Sequence, residues 1–500
     1  MKSMEHSRVQ SPDRRTILWK AQQTLLQPKS LVLALSVCAL LGGCSAGPDY
    51  KRPDIVTPAQ YKENRGWIKT APFAKPSPDA WWTIFGDATL NSLEPRVASA
   101  NQSLRASYFA YQQSLALADA ARSGEFPTVA AAVASTRTGS GSGSSAAPVV
   151  SGKTVSLSAS WVPDFWGRVG RQIEASKASA AASRDNLIAA QLSLQATLAQ
   201  DYFQIRQLDS QIMLAQDSVT AYEKSLQLTN NRYAAGVATK ADVALAETQL
   251  ANARVQFVSF GVQRAQLEHA IAVLIGEPPS SFILPAETGV PQPQAIPAGL
   301  PSQLLLRRPD LLAAERQVAA SNAQIGVAES AYFPALTLSA EGGWHGPSFA
   351  GLIAAPNEFW SIGPSLAETL FDSGARSAQV AQSEAVYQQT VAQYRQLSLQ
   401  ALQQVEDQLA AASTLAEEAQ LQQQAVTAAD ESLRLVTNQY KAGIVSYLNV
   451  VTAQAAAYTA RNAYLQIEGQ RLNASVALIQ AMGGGWGEAI QPAPTPDIGK

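Results

Sequence analysis

Polar and apolar residues alternate without a fault over Thr154-Val-Ser-Leu-Ser-Ala-Ser-Trp161, the period of two that predicts a strand with two unlike faces. Ala335-Leu-Thr-Leu-Ser-Ala340 and Trp360-Ser-Ile-Gly-Pro-Ser-Leu366 alternate likewise, with Pro364 a weak point. Loops rich in Gly, Ser and Pro, Thr138–Gly152 and Gly342–Glu358, lie between the paired strands, so the hairpin connections are long. Elsewhere apolar positions recur at steps of three and four. Gly167–Asn230 and Gly374–Thr437 are 64 residues each without a proline. A continuous helix of that length would reach roughly 95 Å, which suggests coiled-coil packing and not a globular core. Ala-Gly turns at 235–236 and 442–443 lead into second helices, Lys240–Ile275 and Tyr447–Met482, each ended by glycine. Shorter helical patterns over Asp87–Gly124 and about Ser302–Ser330 stop just before a Phe-Pro pair.

The order helix, hairpin, long helix, turn, helix therefore occurs twice, and the residues repeat with it. Asn-Arg-Tyr-Ala-Ala-Gly at 231–236 returns as Asn-Gln-Tyr-Lys-Ala-Gly at 438–443, an offset of 207. The same offset carries Phe126-Pro127 onto Phe333-Pro334, Gly167 onto Gly374 and Arg254 onto Arg461. Ordered matches of Pro, Gly, Tyr and Arg at one offset mark two homologous halves. The expected organisation is a removed leader (1–43), an N-terminal extension (44–86), repeat 1 (87–283), repeat 2 (284–486) and a tail (487–500). The fold class is mainly α with a small β part. Four strands cannot close a membrane barrel, which starts at about eight, so membrane strands here require several chains to share one.

The first residues read as an address. Six Lys/Arg and two Asp/Glu precede Leu31–Leu41, which is apolar except for Ser36 and too short to span a bilayer. Leu41-Gly-Gly-Cys44 resembles the bacterial lipobox, in which the cysteine becomes the acylated mature N-terminus. Ser45, where an aspartate would favour inner-membrane retention, points to the outer membrane. Loss of the leader leaves 31 basic and 37 acidic residues, a net charge of −6, and Cys44 as the sole cysteine, so no disulfide forms within the mature chain.

Composition narrows the function classes. Charged residues make up 15% of the chain, against roughly 25% in ordinary soluble proteins. The nearly balanced charge argues against a nucleic-acid partner. Three histidines and two cysteines leave little for a metal site, and none is expected. Neither a Gly-x-x-x-x-Gly-Lys-Ser/Thr loop nor a His-Glu-x-x-His motif occurs, so an enzyme is not expected. Trp81-Trp82 fits packing or an interfacial belt better than sugar binding.

Cys44-Ser-Ala-Gly-Pro-Asp-Tyr-Lys-Arg-Pro53 and Trp81-Trp82-Thr-Ile-Phe85-Gly-Asp87 resemble the start of the TolC-like outer membrane factors of tripartite efflux systems, nearest the NodT-like lipoprotein branch. Both Phe-Pro turns, Asp164-Phe-Trp-Gly-Arg168, Phe371-Asp-Ser-Gly374, Arg308-Pro-Asp310 and both Tyr-x-x-Gly tips match the same family. The resemblance implies a homotrimer whose four strands per chain build a twelve-stranded outer-membrane β-barrel on a periplasmic α-helical coiled-coil barrel. It implies a lipid on Cys44 and no other cofactor. Phe126, Pro127, Gly167, Phe333, Pro334 and Gly374 would mark the barrel-to-helix transition. Tips carrying Tyr233, Gly236, Val237, Thr239, Asp242, Tyr440, Gly443, Ile444, Ser446 and Tyr447 would meet a periplasmic adaptor, which couples to a proton-driven inner-membrane pump.

The family often closes its periplasmic end with acidic residues after the second tip. Here Tyr447-Leu-Asn-Val-Val-Thr-Ala-Gln454 has no carboxylate. A constriction of Leu448, Asn449 and Thr452 is the expectation, with a cation-favouring ring of Asp242 or a plain helix-surface Asp242 as the two readings left open. The expected function is a passive exit duct for small molecules; the alternatives are a protein-secretion duct and a structural lipoprotein that forms no channel.

Overall fold

The computed structural model describes residues 45–55, 57–63, 78–139, 149–287, 289, 291 and 307–484. The leader 1–43, Cys44, the tail 487–500 and most of the first hairpin loop lie outside the described residues. After a 3₁₀ turn at Pro78–Phe85 come α1 (Ala88–Ala100), α2 (Gln102–Arg122), β1 (Thr128–Thr138), β2 (Val150–Trp161), α3 (Arg168–Ala234) and α4 (Lys240–Leu274). The second half gives α5 (Pro309–Glu329), β3 (Ala335–Gly346), β4 (Glu358–Ala367), α6 (Ala375–Lys441) and α7 (Tyr447–Ala481). The long helices α3 and α6 have 67 residues each. Their Ala, Leu and Gln content favours helix, and no proline interrupts them. Among the described residues no helix is long and apolar enough to cross a membrane.

The single helical stretch expected over Asp87–Gly124 is two helices. Asn101 separates them: its backbone is extended, its Oδ1 accepts from the Leu104 amide at 2.9 Å, and its Nδ2 donates to the Leu274 carbonyl at 2.8 Å. A side chain that caps one helix and holds another by a turn end explains the break. The long helices start similarly. Asp164 accepts from the amides of Val169 and Gly170, and Asp372 from those of Gly374 and Arg376.

The four strands form one antiparallel sheet in the order β1-β2-β3-β4. Strands from both repeats join across β2–β3, where Val155 faces Trp344 and Leu157 faces Gly342. The compact units therefore cut across the repeats. One comprises Ala121–Glu174 and Asn322–Glu384 with the described residues up to Asp49; the other comprises Tyr50–Ala120, Ala175–Ser321 and Ala385 onward. In the helical unit, Trp81, Trp82, Phe85, Leu90, Tyr202, Phe203, Leu409 and Leu478 share one core, and Phe85 meets Phe203 edge-on at 4.8 Å. The Trp pair is thus packing. The inter-repeat segment is clamped by charge: Arg264 donates to the Leu284 carbonyl and Arg206 to that of Pro285, while Asp209, buried between these arginines, accepts from the Glu287 amide.

Candidate functional site

Side chains alternate across a strand, so the register divides the sheet into two faces. One carries Val129, Ala131 and Val133 of β1, Val155, Leu157, Ala159 and Trp161 of β2, Leu336, Leu338, Ala340 and Trp344 of β3, and Trp360, Ile362, Pro364 and Leu366 of β4. The other is mostly hydroxyl-bearing, with Ser156, Ser158, Ser160, Thr337, Ser339, Ser361 and Ser365. Among the described residues nothing covers the apolar face: Val129, Val133, Leu157, Trp360, Ile362 and Leu366 are all exposed. Among the described residues, strands β1 and β4 each have no partner on their outer edge. Pro364 lies in β4, the outer strand of the single-chain sheet, opposite Leu338 of β3.

The helical unit ends in two turns of one design. At the first, the Gly236 amide bonds to the Tyr233 carbonyl and the Val237 amide reaches back to Arg232. At the second, Gly443 bonds to Tyr440 and Ile444 to Gln439. Both are Schellman caps, and both glycines have positive φ, +73° and +79°. In such caps the residue after the glycine usually packs on its own helix. Here Val237 is 64% and Ile444 73% exposed, so two apolar side chains stand in solvent at the ends of the hairpins.

The two tips are joined inside the chain. Arg232 of α3 donates to the Tyr440 carbonyl at 2.9 Å and lies over the Tyr440 ring at 4.6 Å. Tyr440 packs against Tyr447, ring centres 5.6 Å apart, in a cluster with Ala246, Val450 and Val451. Burial, with the neighbouring Tyr440 and Tyr222 hydroxyls adding to it, pushes the Tyr447 phenol up to about 12.

Comparison with known proteins settles the family. The family model described as "Outer membrane efflux protein" matches residues 95–277 and again 300–484. The chain belongs to the outer membrane efflux protein family. The toluene efflux pump outer membrane protein TtgC of Pseudomonas putida is 32% identical over 483 residues, covering 93% of this chain and 98% of that protein. The pyoverdine export outer membrane protein OpmQ of Pseudomonas aeruginosa is 32% identical over 90% of this chain and 96% of its own. Among solved structures, the outer-membrane channel OprN aligns with a TM-score of 0.82 and 28% identity, covering 89% of this chain and all of that one.

Within this efflux protein the residues singled out from sequence fall into different environments. Tyr440 and Tyr447 are 4% and 2% exposed, so they hold the tip together and offer no surface to an adaptor; the reading of them as contacts is corrected. Asp242 is taken up locally. Its carboxylate accepts from the Thr239 amide at 2.9 Å and hydroxyl at 2.8 Å, while Thr239 Oγ1 accepts from the Asp242 amide. This capping box occupies both residues and favours the helix-terminus reading of Asp242 over a free acidic ring. Ser446, the matching residue of the second tip, makes no such side-chain bond. Tyr233, Gly236, Val237, Gly443 and Ile444 remain exposed.

Leu448, Asn449 and Thr452 share an exposed face of α7, with the Thr452 hydroxyl turned back to the Leu448 carbonyl at 2.9 Å. At the strand–helix transition Gly167 and Gly374 have φ of +76° and +89°, a conformation glycine adopts at least cost. Phe333 stacks on Trp166 at 4.8 Å, and the Trp166 indole donates to the Pro334 carbonyl. Phe126, after Glu125, is exposed, and Pro127 leads into β1. Sequence reasoning quoted Asp164 and Asp372 only within family motifs, without their capping role, and gave Arg232 no role. The Asp residues were legible as caps from their place just before a glycine and a long helix; Arg232 carried no signal, since a tyrosine far along the chain defines its role.

Proposed function

We propose that this chain is the passive outer-membrane exit duct of a tripartite efflux pump for small molecules. The observation that carries the reading is the sheet: four strands, two open edges, and one exposed apolar face opposite a hydroxyl-rich one. Open edges are not tolerated in lipid. Three copies joined edge to edge give twelve strands, enough to close a barrel with the apolar face to lipid and the hydroxyl face to water. Cys44, acylated as the mature N-terminus, anchors the chain to the outer membrane. The tips, with Val237 and Ile444 foremost, receive a periplasmic adaptor that couples to a proton-driven inner-membrane pump, which supplies the energy. The relatives are named for toluene, pyoverdine and cation export; cargo so unlike in chemistry fits an unselective duct whose pump makes the choice.

Light scattering and planar-bilayer conductance on the detergent-purified mature protein test this together. The expected result is three times the chain mass with small conductance, since the helical end stays closed without an adaptor. A monomer that never conducts would overturn the duct.

A further inference from the structure

The five residues after Cys44 are held in a built groove. Ala46 is buried; its amide donates to the Trp166 carbonyl at 3.0 Å, and its carbonyl accepts from Arg171 Nε at 3.0 Å. Arg171 Nη2 also reaches the Gly47 carbonyl at 3.1 Å and the Asp49 carboxylate at 2.9 Å, and Nη1 reaches Glu174 at 2.8 Å. Asn322 donates to the Pro48 carbonyl at 2.8 Å. Three successive carbonyls are thus each taken by a side chain of α3 or α5.

The approach leaves no slack. Gly47 has φ +86°, and a Cβ there would overlap the Gly326 backbone of α5. A Cβ on Gly326 would lie 2.6 Å from the Ala46 carbonyl oxygen and 2.9 Å from Arg171 Cγ. Ser45 lies against Gly167, the residue that turns β2 into α3. Arg171 itself has a side chain only 8% exposed. A buried guanidinium with its fork filled by two carbonyls and two carboxylates is a costly arrangement to leave half-made.

We infer that Arg171 is a positioning residue for the lipid anchor: it clamps Ala46 and Gly47 so that the acyl chains on Cys44 enter the bilayer at one fixed place beside the strand–helix junction, and not at the end of a leash. This rests on the reading of Cys44 as acylated. Only Ser45 separates that residue from the first clamped one, so the anchor and the sheet are set to one depth. Trp166 extends the clamp, since the residue that accepts from Ala46 also stacks on Phe333 and bonds to Pro334.

The test is a spin label on Ser45→Cys in the full-length protein purified from membranes, with Val255→Cys on the exposed side of α4 as a control site. Acylated Cys44 does not react, so one labelled thiol per chain is expected. Two would overturn the acylation reading alone, and the same measurement would then be made with Cys44→Ser. The Ser45 label is expected to be as slow as a rigid helix site. Arg171→Ala and Gly47→Ala are each expected to speed it several-fold and leave the Val255 label unchanged. Arg171→Lys, a point charge where a planar fork is needed, is expected to restore only part of the order. A Ser45 label that is fully mobile in the parent, or unmoved by both Arg171→Ala and Gly47→Ala, overturns the clamp.

Discussion

Glu94 lies on the buried stripe of α1 with Leu90, Leu93 and Val97, fully buried and with neither carboxylate oxygen hydrogen-bonded among the described residues. Burial alone pushes its carboxyl well above the usual range. The folded state therefore holds the proton more tightly than the unfolded chain. Between the unfolded pKa, about 4.3, and the raised folded value, stability falls as pH rises, by at most about 1.4 kcal/mol per pH unit for one proton. Glu94→Gln is expected to remove that slope and raise the thermal midpoint near neutral pH relative to the parent, with little change in mild acid. Melting curves across that range check it. An acid one residue after Leu93, inside an apolar stripe, is visible in the sequence; that it finds no hydrogen-bond partner among the described residues is not. Tyr440 is the opposite case. Its Tyr-x-x-Gly setting reads as a tip, yet the ring is a pillar, and Tyr440→Ala is expected to cost about 3 kcal/mol in urea unfolding, as loss of a buried aromatic does.

At the scale of the turn, the glycines were legible because only a positive φ ends a helix this way. The apolar residues after them were equally legible, and their exposure is what gives them a use. Val237→Asp with Ile444→Asp is expected to abolish export in a susceptibility assay while leaving melting temperature and oligomer mass unchanged, because both side chains are mostly exposed. If export survives, the adaptor does not sit there. The first tip carries a second, separable expectation. Thr239→Ala breaks the capping box and is expected to destabilise the turn by about 1 kcal/mol. Asp242→Asn is expected to leave ion selectivity in planar bilayers unchanged; a loss of cation preference would restore the acidic ring.

Across the molecule, the exposed apolar face of the sheet makes a demand that the single chain cannot meet. Ile362→Arg places a charge on the face proposed to meet lipid, where such a change costs about 2–4 kcal/mol at mid-membrane. It is expected to lower the fraction of trimer seen by light scattering, whereas Ser361→Arg, on the opposite face, is expected to change conductance and not assembly. The strands of repeat 2 and β2 were legible by alternation. β1 was not, because Thr128-Val-Ala-Ala-Ala-Val-Ala134 has little contrast between faces, and only its register with β2 sorts Val129 and Val133 to the apolar side.

The repeat, the long helices, the turn glycines and the period-two strands follow from residue order alone, because helix propensity, positive φ and side-chain alternation are local. The break at Asn101, the burial of Tyr440 and Tyr447, the capture of Asp242 by Thr239, and the groove around Ala46 were decided by the tertiary structure. Each depends on which distant segment arrives beside a side chain. A sequence states what a residue is able to bond; only the packed chain states what stands within reach.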